Sequence, residues 1–516
     1  MEENKFVAAI EKEVAWKLTE NGLDALNTTF DANLDLFSTI GALRSRTDKE
    51  IETMFMKAYV EQPLTAMKIL FYARDIQGGL GERRVFRVAL KWLALNRPKD
   101  VIANIENIAK FGRFDDLYVL VDTEAEEAMF DFIKRQIVID FRNMTAGKPI
   151  SLLAKWLKSV NTSSRESVRL GRLTAKALDM SERTYRKTLT TMRSYIDVLE
   201  KKMSANDWQT IDFNTVPGGA MKKYLTAFHK HEGERFSEYL DALKSGKKIT
   251  VTKADGTVVE KEAKINTKHL FPYEIIEKYI PNGLRYKVDV KPELEAMWDG
   301  LKDWIDGTHM NTIVVADTSG SMRGRPLATS VGLGTYFAER NQGPFHNKYM
   351  TFSSRPSWIQ LKDGMTLAYK LSVVPDIVDN TNLEAAFELI LKVGVDNQLT
   401  DEDMPKSLII ITDMEFDSCV TDNSTLFMNR RTDMTFYDKM EAKYAAKGFK
   451  LPEIVFWNVD ARQNTYHTQK HTPHVRMVSG QATSVFKSLI DGKKHTPYDF
   501  MLEVVYNERY DSVKLG

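Results

Sequence analysis

Cysteine is almost absent from this 516-residue sequence, which contains Cys419 alone. A single thiol excludes a disulfide framework and a cysteine-rich zinc site, and it fits a protein of the reducing cytosol. Long hydrophobic runs are also missing, since no stretch reaches the roughly 18 apolar residues of a membrane helix. The opening residues "MEENKFVAAI" carry acidic side chains where a secretory signal has a basic flank. These absences predict a soluble, cytoplasmic protein.

A strong net charge is missing as well, because 72 Lys and Arg residues are balanced by 71 Asp and Glu residues. This balance argues against a uniformly basic nucleic-acid coat, but it still allows local charged patches. Hydrophobic residues make up 43% of the chain, which is ordinary for a folded protein. Because 516 residues exceed what one hydrophobic core usually serves, we expect two or three domains.

Signatures of catalysis are not found either. The serines of "DTSGSM", residues 317–322, lack the Gly-x-Ser-x-Gly turn and a histidine close in sequence. The segments "GLGERR" and "GLGTYF" lack the residues and spacing of phosphate-binding loops. His467, His471 and His474 suggest zinc, but Pro473 interrupts a helix through them, so a solvated loop is the favoured interpretation. The sequence therefore predicts a protein that is not an enzyme.

Helical periodicity dominates the first half of the chain. Segments such as "TAMKILFYARDI" and "RRVFRVALKWLAL" place apolar residues three and four positions apart, and breakers such as "NRPKD" separate such segments. Many short helices with short connections predict stacked helical pairs, as in a HEAT-like solenoid or ring. No strict repeat period is found, so an irregular helical domain is the alternative. We expect this α-helical module to span residues 1–247.

The pattern changes after this module. "KITVTKADGTVVEKEAKI" alternates β-branched and polar residues around Asp255-Gly256, which predicts a β-hairpin insertion, followed by a helical connector, over residues 248–308. Strands and helices then alternate over residues 309–516. Continuous Ile and Val runs such as "TIVVAD" and "SLIIITD" are typical of parallel strands buried on both faces. The predicted fold class is α+α/β multidomain, with the helical domain followed by a doubly wound, Rossmann-like α/β domain.

Oxygen-bearing side chains follow the strands of this predicted sheet. Asp317 ends "TIVVAD" and is followed by Ser319 and Ser321, while Asp413 ends "SLIIITD" and Thr381 precedes a predicted helix. Ligands of such sheets bind at the carboxyl ends of the strands. Two carboxylates and three hydroxyls are hard oxygen donors, which suit Mg²⁺ or Mn²⁺ and do not suit zinc.

This pattern resembles the metal-ion-dependent adhesion site, or MIDAS, of von Willebrand factor A domains. Asp-x-Ser-x-Ser at the first strand end, a downstream Thr and a later Asp occur in the order of that family. The resemblance implies that Ser319 and Ser321 bind the metal directly, that Asp317 and Asp413 bind it directly or through water, and that the role of Thr381 depends on the conformation. It also implies that a carboxylate of a protein partner completes the coordination of the metal. A structural remnant without a cation is the alternative.

Charge is unevenly distributed within the balanced total. From Lys155 to Lys202 we count twelve Lys or Arg residues against five Asp or Glu, and from Asp376 to Asp422 twelve acidic residues against two basic ones. A basic stretch on a helical scaffold can neutralise nucleic-acid phosphates, and neighbouring Ser, Thr and Tyr hydroxyls can add contacts to them. A solvated basic face, or pairing with the acidic tract, is the alternative.

Two segments of the helical half resemble the helical module of Ro ribonucleoproteins, the TROVE module. They are "FYARDIQGGLGERRVF" at residues 71–86 and "KFGRFDDLYVL" at residues 110–120. The order of a helical module before an A domain is also that of Ro proteins, and a further family of this architecture resembles residues 64–489. In Ro proteins the helices form a ring that binds structured small RNA outside and single-stranded RNA ends in its hole. Within the first segment we expect an ion pair between Arg74 and Asp75 around a glycine turn.

The sequence thus predicts a non-catalytic, ribonucleoprotein-type RNA-binding protein with a metal-binding A domain for partner recognition. The expected phosphate contacts are Lys155, Lys158, Arg172, Arg183, Arg186, Lys187, Arg193, Lys222 and Lys223, with Arg83, Arg84 and Arg87 as second candidates. The expected partners are small structured RNA or single-stranded RNA ends and a protein carboxylate. The alternative is a metal-dependent protein interaction or assembly module, which could oligomerise, with no RNA binding. A metal-dependent hydrolase is a third hypothesis, because Mg²⁺ can activate water.

Overall fold

Helices and strands are both abundant in the computed structural model of this chain, which confirms the mixed α+α/β class. The structure describes residues 14–252, 257–281, 283–284, 289–352, 356–375, 382–416, 436–490 and 495–516. In this described part, no helix combines the length and the apolar composition that crossing a membrane requires.

The strands are β1 Trp16–Leu18, β2 Asp24–Leu26, β3 Lys248–Thr252, β4 Val258–Glu262, β5 Thr312–Asp317, β6 Lys348–Phe352, β7 Ser357–Gln360, β8 Ser407–Thr412, β9 Glu453–Asn458 and β10 Val475–Ser479.

The helices are α1 Ala32–Phe37, α2 Asp48–Glu61, α3 Pro63–Arg74, α4 Arg84–Asn96, α5 Pro98–Ala103, α6 Ile105–Phe111, α7 Glu126–Thr145, α8 Leu153–Trp156, α9 Arg165–Ala177, α10 Glu182–Tyr195, α11 Leu199–Ser204, α12 Gly218–Ser245, α13 Pro272–Tyr279, α14 Pro292–Asp299, α15 Arg325–Arg340, α16 Leu367–Ser372, α17 Leu383–Asp396, α18 Phe436–Ala445, α19 Val485–Leu489 and α20 Pro497–Val505. Short 3-10 helices cover Ile40–Ser45, Phe114–Leu120, Trp208–Thr210, Phe213–Thr215, Gly320–Met322 and Glu508–Tyr510.

The chain forms two compact units, and each is discontinuous in the sequence. The sheet unit lies within Met1–Ile69, Gly78–Leu80 and Phe271–Glu508, and the helical unit lies within Leu70–Gln77, Gly81–Leu270 and Arg509–Gly516. The domain boundaries predicted from the sequence are residues 247 and 308. In the structure, the described residues before position 70 group with the sheet unit. The last eight residues return to the helical unit.

A six-stranded sheet forms the centre of the sheet unit, with strands in the order β10-β9-β8-β5-β6-β7. Every neighbouring pair is parallel except the edge pair β6 and β7, which is antiparallel. All residues of β5 and β8 are buried, which explains their continuous apolar sequences and confirms the predicted parallel strands. Because β5 lies between β8 and β6, its carboxyl end lies at the switch in strand order, where α/β sheets open a crevice.

The N-terminal segment packs within the sheet unit. Strands β1 and β2 pair with each other, and Leu26 forms an antiparallel bridge with Tyr466. A Cβ on Gly41 would lie 2.7 Å from the Cα atom of Gly480, so the two backbones can approach only because position 41 is glycine. Periodicity along the sequence does not reveal such contacts, because they join residues more than 400 positions apart.

The helical unit contains helices α4 to α12, of which α12 is the longest with 28 residues, and one small two-stranded sheet. Strands β3 and β4 pair antiparallel with Val251 opposite Val259, which confirms the predicted hairpin strands. The turn residues Asp255-Gly256 lie outside the described residues. Helix α10 packs on α8 and on α9, which places the basic tract of the sequence on adjoining helices.

Candidate functional sites

Four of the five predicted metal ligands, Asp317, Ser319, Ser321 and Asp413, lie together at the carboxyl ends of β5 and β8. The backbone N–H of Ser319 donates to Asp317 Oδ1 at 2.8 Å, and the Thr412 hydroxyl donates to Asp317 Oδ2 at 2.7 Å. The Ser319 and Ser321 hydroxyl oxygens are 3.1 Å apart, and the Ser321 hydroxyl is close enough to Asp413 to lower the pKa of that carboxyl. We call this group the acidic rim.

The acidic rim holds two buried carboxylates whose pKa values are both raised. Burial raises the pKa of Asp317 to about 7, and the neighbouring Asp413 carboxylate contributes to the shift. Burial also raises the pKa of Asp413, whereas the Arg462 guanidinium acts in the opposite direction. A cation between the two carboxylates would relieve this unfavourable electrostatics.

The donor set of the acidic rim fits Mg²⁺ or Mn²⁺. Ligands at right angles on an octahedral Mg²⁺, each about 2.1 Å from it, lie about 3.0 Å apart. The 3.1 Å between the hydroxyls of Ser319 and Ser321 matches this spacing. In the part of the chain that the structure describes, no group of three or more His, Cys, Asp and Glu side chains could hold a metal ion, so the hydroxyls are essential to the fit. Thr381 lies outside the described residues.

An arginine that the sequence analysis did not select lies at the acidic rim. The Nη2 of Arg462 donates to Asp413 Oδ2 at 2.5 Å, and Nη1 lies 3.3 Å from Glu20 Oε2. Arg462 follows the carboxyl end of β9, the strand next to β8. The rule that located Asp413 could therefore have selected Arg462 as well, whereas nothing in the sequence pattern indicates Glu20.

Three of the predicted RNA contacts, Arg183, Arg186 and Lys187, are exposed on α10. They line a groove of about 550 Å³, the α10 groove, whose other lining residues are Ser159, Val160, Asn161, Tyr185, Leu189, Thr190, Thr191 and Arg193. No Asp or Glu is among these lining residues. A phosphate chain entering the groove would therefore meet cations without a competing carboxylate on its walls.

A second groove of about 470 Å³, the α9 groove, is lined by other residues of the same 159–164 loop. Its lining residues are Thr162, Ser163, Arg165, Val168, Arg169, Arg172, Leu173 and Lys176. Here two of the cations have acidic partners outside the groove lining: Arg169 donates to Glu166 at 2.9 Å, and Arg172 donates to Glu182 at 2.9 Å. The α9 groove is therefore partly neutralised, unlike the α10 groove.

The remaining predicted contacts have other neighbours. Arg193 donates to the carbonyls of Ala154 and Leu157 at 2.8 Å each and to the Ser159 hydroxyl at 2.9 Å. These bonds hold the 154–159 segment, whose last residue, Ser159, lines the α10 groove, so Arg193 positions this part of the groove.

Two predicted lysines are close to aromatic rings in the same region. Lys155 lies 5.6 Å from the Trp156 ring and 3.9 Å from Glu200, and Lys158 lies 5.8 Å from the Tyr118 ring. On α12, Lys223 is exposed and lies 4.8 Å from the ring of the next residue, Tyr224, while Lys222 is half-buried. None of these four lysines lines either groove.

The two Ro-like segments meet in a buried charge cluster of the helical unit. Arg74 donates to Asp116 at 2.8 Å, and Arg87 donates to the other oxygen of Asp116 at 2.6 Å. Arg113 donates through two nitrogens to Asp115. Although burial opposes its charged form, the guanidiniums of Arg113 and Arg87 lower the pKa of Asp115. We call this group the junction cluster.

The expected ion pair between Arg74 and Asp75 is therefore wrong. Arg74 bonds Asp116, and Asp75 instead accepts bonds from Arg509 and Tyr510 near the end of the chain. Adjacent side chains at a helix end point in different directions, so each finds a partner from a different segment. Of the second candidates, Arg87 belongs to this cluster, whereas Arg83 and Arg84 are exposed.

The three histidines near residue 470 do not form a cluster. His467 is 2% exposed, and its Nε2 donates to the carbonyl of Met414 at 2.9 Å. His471 lies against Tyr498, and the His474 ring is 4.0 Å from Glu453. A solvated loop is therefore the wrong interpretation for His467, which packs against Phe416.

Comparison with known proteins gives several matches. The chain is similar to an uncharacterized protein of Acanthamoeba polyphaga mimivirus, with 29% identity over 527 residues, covering 94% of this chain and 86% of the other protein. The crystal structure of the Deinococcus radiodurans RO (RSR) protein matches with 10% identity over 95% of both chains. Its TM-score of 0.35 is too low to support an argument about fold or function.

Two family models match the chain. The model described as Domain of unknown function (DUF7788) matches residues 311–512, which include the acidic rim. The model described as Domain of unknown function (DUF2828) matches residues 19–148 and 150–282, just over half of the chain, including the junction cluster and both grooves. The chain therefore belongs to the DUF2828 family.

Proposed function

We propose that this protein is a non-catalytic RNA-binding protein whose helical unit holds RNA phosphates in the α10 and α9 grooves. The observation that carries the proposal is the α10 groove, where Arg183, Arg186 and Lys187 are exposed and no carboxylate is among the described lining residues. Like charges on one face repel each other, so neutralisation by a polyanion is favourable. Most of the favourable free energy of binding comes from release of the counterions of the polyanion.

The 159–164 loop, which contributes lining residues to both grooves, adds groups that bind phosphate and sugar oxygens. Residues 159–164, "SVNTSS", supply hydroxyls and an amide, and Asn161, Thr162 and Ser163 are exposed. Such side chains accompany arginine in nucleic-acid backbone contacts. The resemblance of residues 71–86 and 110–120 to the helical module of Ro ribonucleoproteins favours RNA over DNA.

The test is the binding of fluorescently labelled RNA, as a single strand and as a hairpin, measured by anisotropy over about 50–200 mM salt. For a single strand we expect the logarithm of affinity to fall with the logarithm of salt with a slope of about −2 or steeper, since three phosphate contacts contribute about 0.7 each. The triple variant R183Q/R186Q/K187Q should bind at least about tenfold more weakly.

The matched control is K134Q/R135Q, which removes two exposed cations of α7 that lie outside both grooves. It should bind RNA as the unaltered protein does. Affinity that ignores salt, or a triple variant that binds as well as the control, would reject the proposal. A DNA strand of the same sequence measures the preference for RNA.

A second function is favoured by the acidic rim: a metal-dependent site for a protein partner in the manner of a von Willebrand factor A domain. The 3.1 Å spacing of the two serine hydroxyls beside two buried carboxylates supports it. Asp317, Ser319, Ser321 and Asp413 would hold Mg²⁺ or Mn²⁺, together with Thr381 as the sequence pattern predicts. The bound metal supplies a positive centre for a carboxylate oxygen of the partner.

The metal site is tested by titrating the full chain with Mn²⁺ and measuring free Mn²⁺ by electron paramagnetic resonance. We expect the unaltered protein to bind Mn²⁺ and Mg²⁺ to displace the bound Mn²⁺. The S319A/S321A variant should bind Mn²⁺ at least tenfold more weakly. The control is K392Q, which removes a cation from an exposed pair with Asp396 on α17. If the folded S319A/S321A protein binds Mn²⁺ as well as the K392Q protein, the two hydroxyls are not ligands.

A further inference from the structure

Arg462 places a positive charge of the chain itself at the candidate metal site. Its Nη2 bonds Asp413 Oδ2 at 2.5 Å, and Asp413 is 2% exposed. A buried carboxylate requires a counter-charge, and Arg462 supplies it in this structure. A divalent ion that binds Asp413, directly or through one water, would lie close to this guanidinium and be repelled by it.

The guanidinium is held incompletely. Among the described residues its buried Nε has no hydrogen-bond partner, and an acidic oxygen beside it, on Asp460, is 3.9 Å away. Its Nη1 lies 3.3 Å from Glu20 Oε2, a distance too long for a strong charge-assisted bond. Only the bond to Asp413 is short, so Arg462 has two further carboxylates close by that it does not fully use.

Glu20 is fixed beside Arg462 by the turn between β1 and β2. The backbone N–H of Glu20 donates to Glu415 at 2.7 Å, and the Asn21 amide donates to the Glu415 carbonyl at 2.6 Å. The side-chain amide of Gln463 donates to the other carboxylate oxygen of Glu20 at 3.1 Å. The Glu20 carboxylate is therefore already in place to receive a guanidinium that leaves Asp413.

We infer that Arg462 is a resident cation that competes with a divalent metal for Asp413, and that Glu20 receives the guanidinium when the metal binds. This inference rests on the proposed metal site. It makes metal binding an exchange of cations within the rim, so that metal occupancy changes the contacts of the β1–β2 turn. The net charge around Asp413 then differs less between the two states than it would in a rim without Arg462.

The experiment uses the full chain and Mn²⁺, with free Mn²⁺ measured by electron paramagnetic resonance. R462Q removes the competing charge, and we expect it to bind Mn²⁺ about tenfold or more tightly than the unaltered protein. E20Q removes the receiving carboxylate and should weaken Mn²⁺ binding by about threefold. R462K keeps the charge with fewer donors and should lie between the unaltered protein and R462Q. K392Q is the control for loss of one cation in the same unit, and it should leave affinity unchanged.

The outcomes separate the two proposals. Equal or weaker Mn²⁺ binding by folded R462Q overturns the competition while leaving the metal site intact, provided that the unaltered protein binds Mn²⁺. If neither protein binds Mn²⁺, the metal site itself is rejected, and the competition with it. If R462Q does not fold, as judged by circular dichroism, R462K decides: tighter binding supports the inference and unchanged binding contradicts it.

Discussion

The junction cluster and the α10 groove both contain arginines, which are paired with buried aspartates in the cluster and exposed in the groove. In the cluster, Arg74 and Arg87 both bind Asp116, which is fully buried. In the groove, Arg183 and Arg186 are exposed, and in the part of the chain that the structure describes no acidic side chain lines the wall beside them. Both regions belong to the helical unit and both are rich in arginine.

The difference shows that the position of the carboxylates, more than the number of cations, separates structure from binding. Arginines paired with buried aspartates stabilise the fold and are not available to a ligand, because breaking the pair leaves an unpaired charge in a poorly solvated place. Arginines without acidic neighbours keep their charge available to a polyanion. The acidic rim of the sheet unit shows the reverse case, in which buried carboxylates outnumber the one guanidinium among them.

The largest expected effect follows from breaking the junction cluster with D116A. Arg74 and Arg87 would both lose their buried partner, so the free energy of unfolding should fall by about 3–5 kcal/mol. Urea denaturation followed by tryptophan fluorescence measures this loss. The control K134A breaks the exposed pair of Lys134 with Asp179 and should leave stability unchanged. A D116A protein as stable as K134A would show that the cluster is not what holds the two segments together.

Adding a side-chain atom next to the junction cluster should lower the free energy of unfolding somewhat less than D116A does. A Cβ at Gly112 would lie 2.6 Å from Asp116 Oδ2 and 2.7 Å from the carbonyl oxygen of Ile108. We expect G112A to lower the free energy of unfolding by about 3 kcal/mol, the upper end of overpacking costs. G219A is the matched control, because a Cβ there has no atom within 4 Å. If both variants melt at the same temperature, the close packing at residue 112 is not required.

The contrast between buried and exposed charges extends to the histidines of the sheet unit. Burial lowers the pKa of His467 to about 4, below its ordinary 6.5, so the folded protein favours the neutral ring. Its contribution to stability is therefore complete above about pH 6.5 and is lost as the pH falls towards 4, by about 2 kcal/mol between pH 7 and pH 5. Urea denaturation of the unaltered protein and of H467F at both pH values measures the difference.

Other groups also titrate between pH 7 and pH 5. The test therefore compares how much the free energy of unfolding changes over this interval in each variant. H467F should have lost about 2 kcal/mol of the pH dependence, whereas H471Q, altered at an exposed ring, should retain it. The same pH dependence in all three proteins would contradict a neutral, buried His467.

The smallest expected effect sharpens the contrast within the basic surface itself. Because Glu166 and Glu182 partly neutralise the α9 groove, R165Q/R172Q/K176Q should weaken RNA binding by only about threefold and lower the salt slope by about 1. The triple variant of the α10 groove should lower that slope by about 2. Anisotropy titrations of both variants in one salt series measure the difference. A greater loss from the α9 groove would reverse the order of the two sites.

Several features of the fold could be predicted from the sequence because they depend on local pattern. Continuous apolar runs predicted β5 and β8 as buried parallel strands, and the rule for strand ends then brought Asp317 near Asp413. Alternation predicted the β3–β4 pair. The basic tract predicted exposed cations on α10, although it could not separate them from Arg193, which binds backbone carbonyls.

Other features could not be predicted, because they depend on which distant segments meet. Arg74 was expected to pair with its neighbour Asp75, but it binds Asp116, 42 positions away. His467 was expected in solvent, but it is buried against Phe416. Glu20 is brought to Arg462 across more than 400 positions. A single sequence contains no signal for contacts of this kind.

The sequence by itself determined the two kinds of architecture, the hard-oxygen character of the acidic rim and the excess of cations between Lys155 and Lys202. Only the tertiary structure decided which of those charges are neutralised: Asp116 neutralises Arg74 and Arg87, and Arg462 neutralises Asp413, whereas the described lining of the α10 groove contains no carboxylate. The physical reason is that composition and periodicity act through neighbours along the chain, whereas charge neutralisation depends on distances of a few ångströms in space.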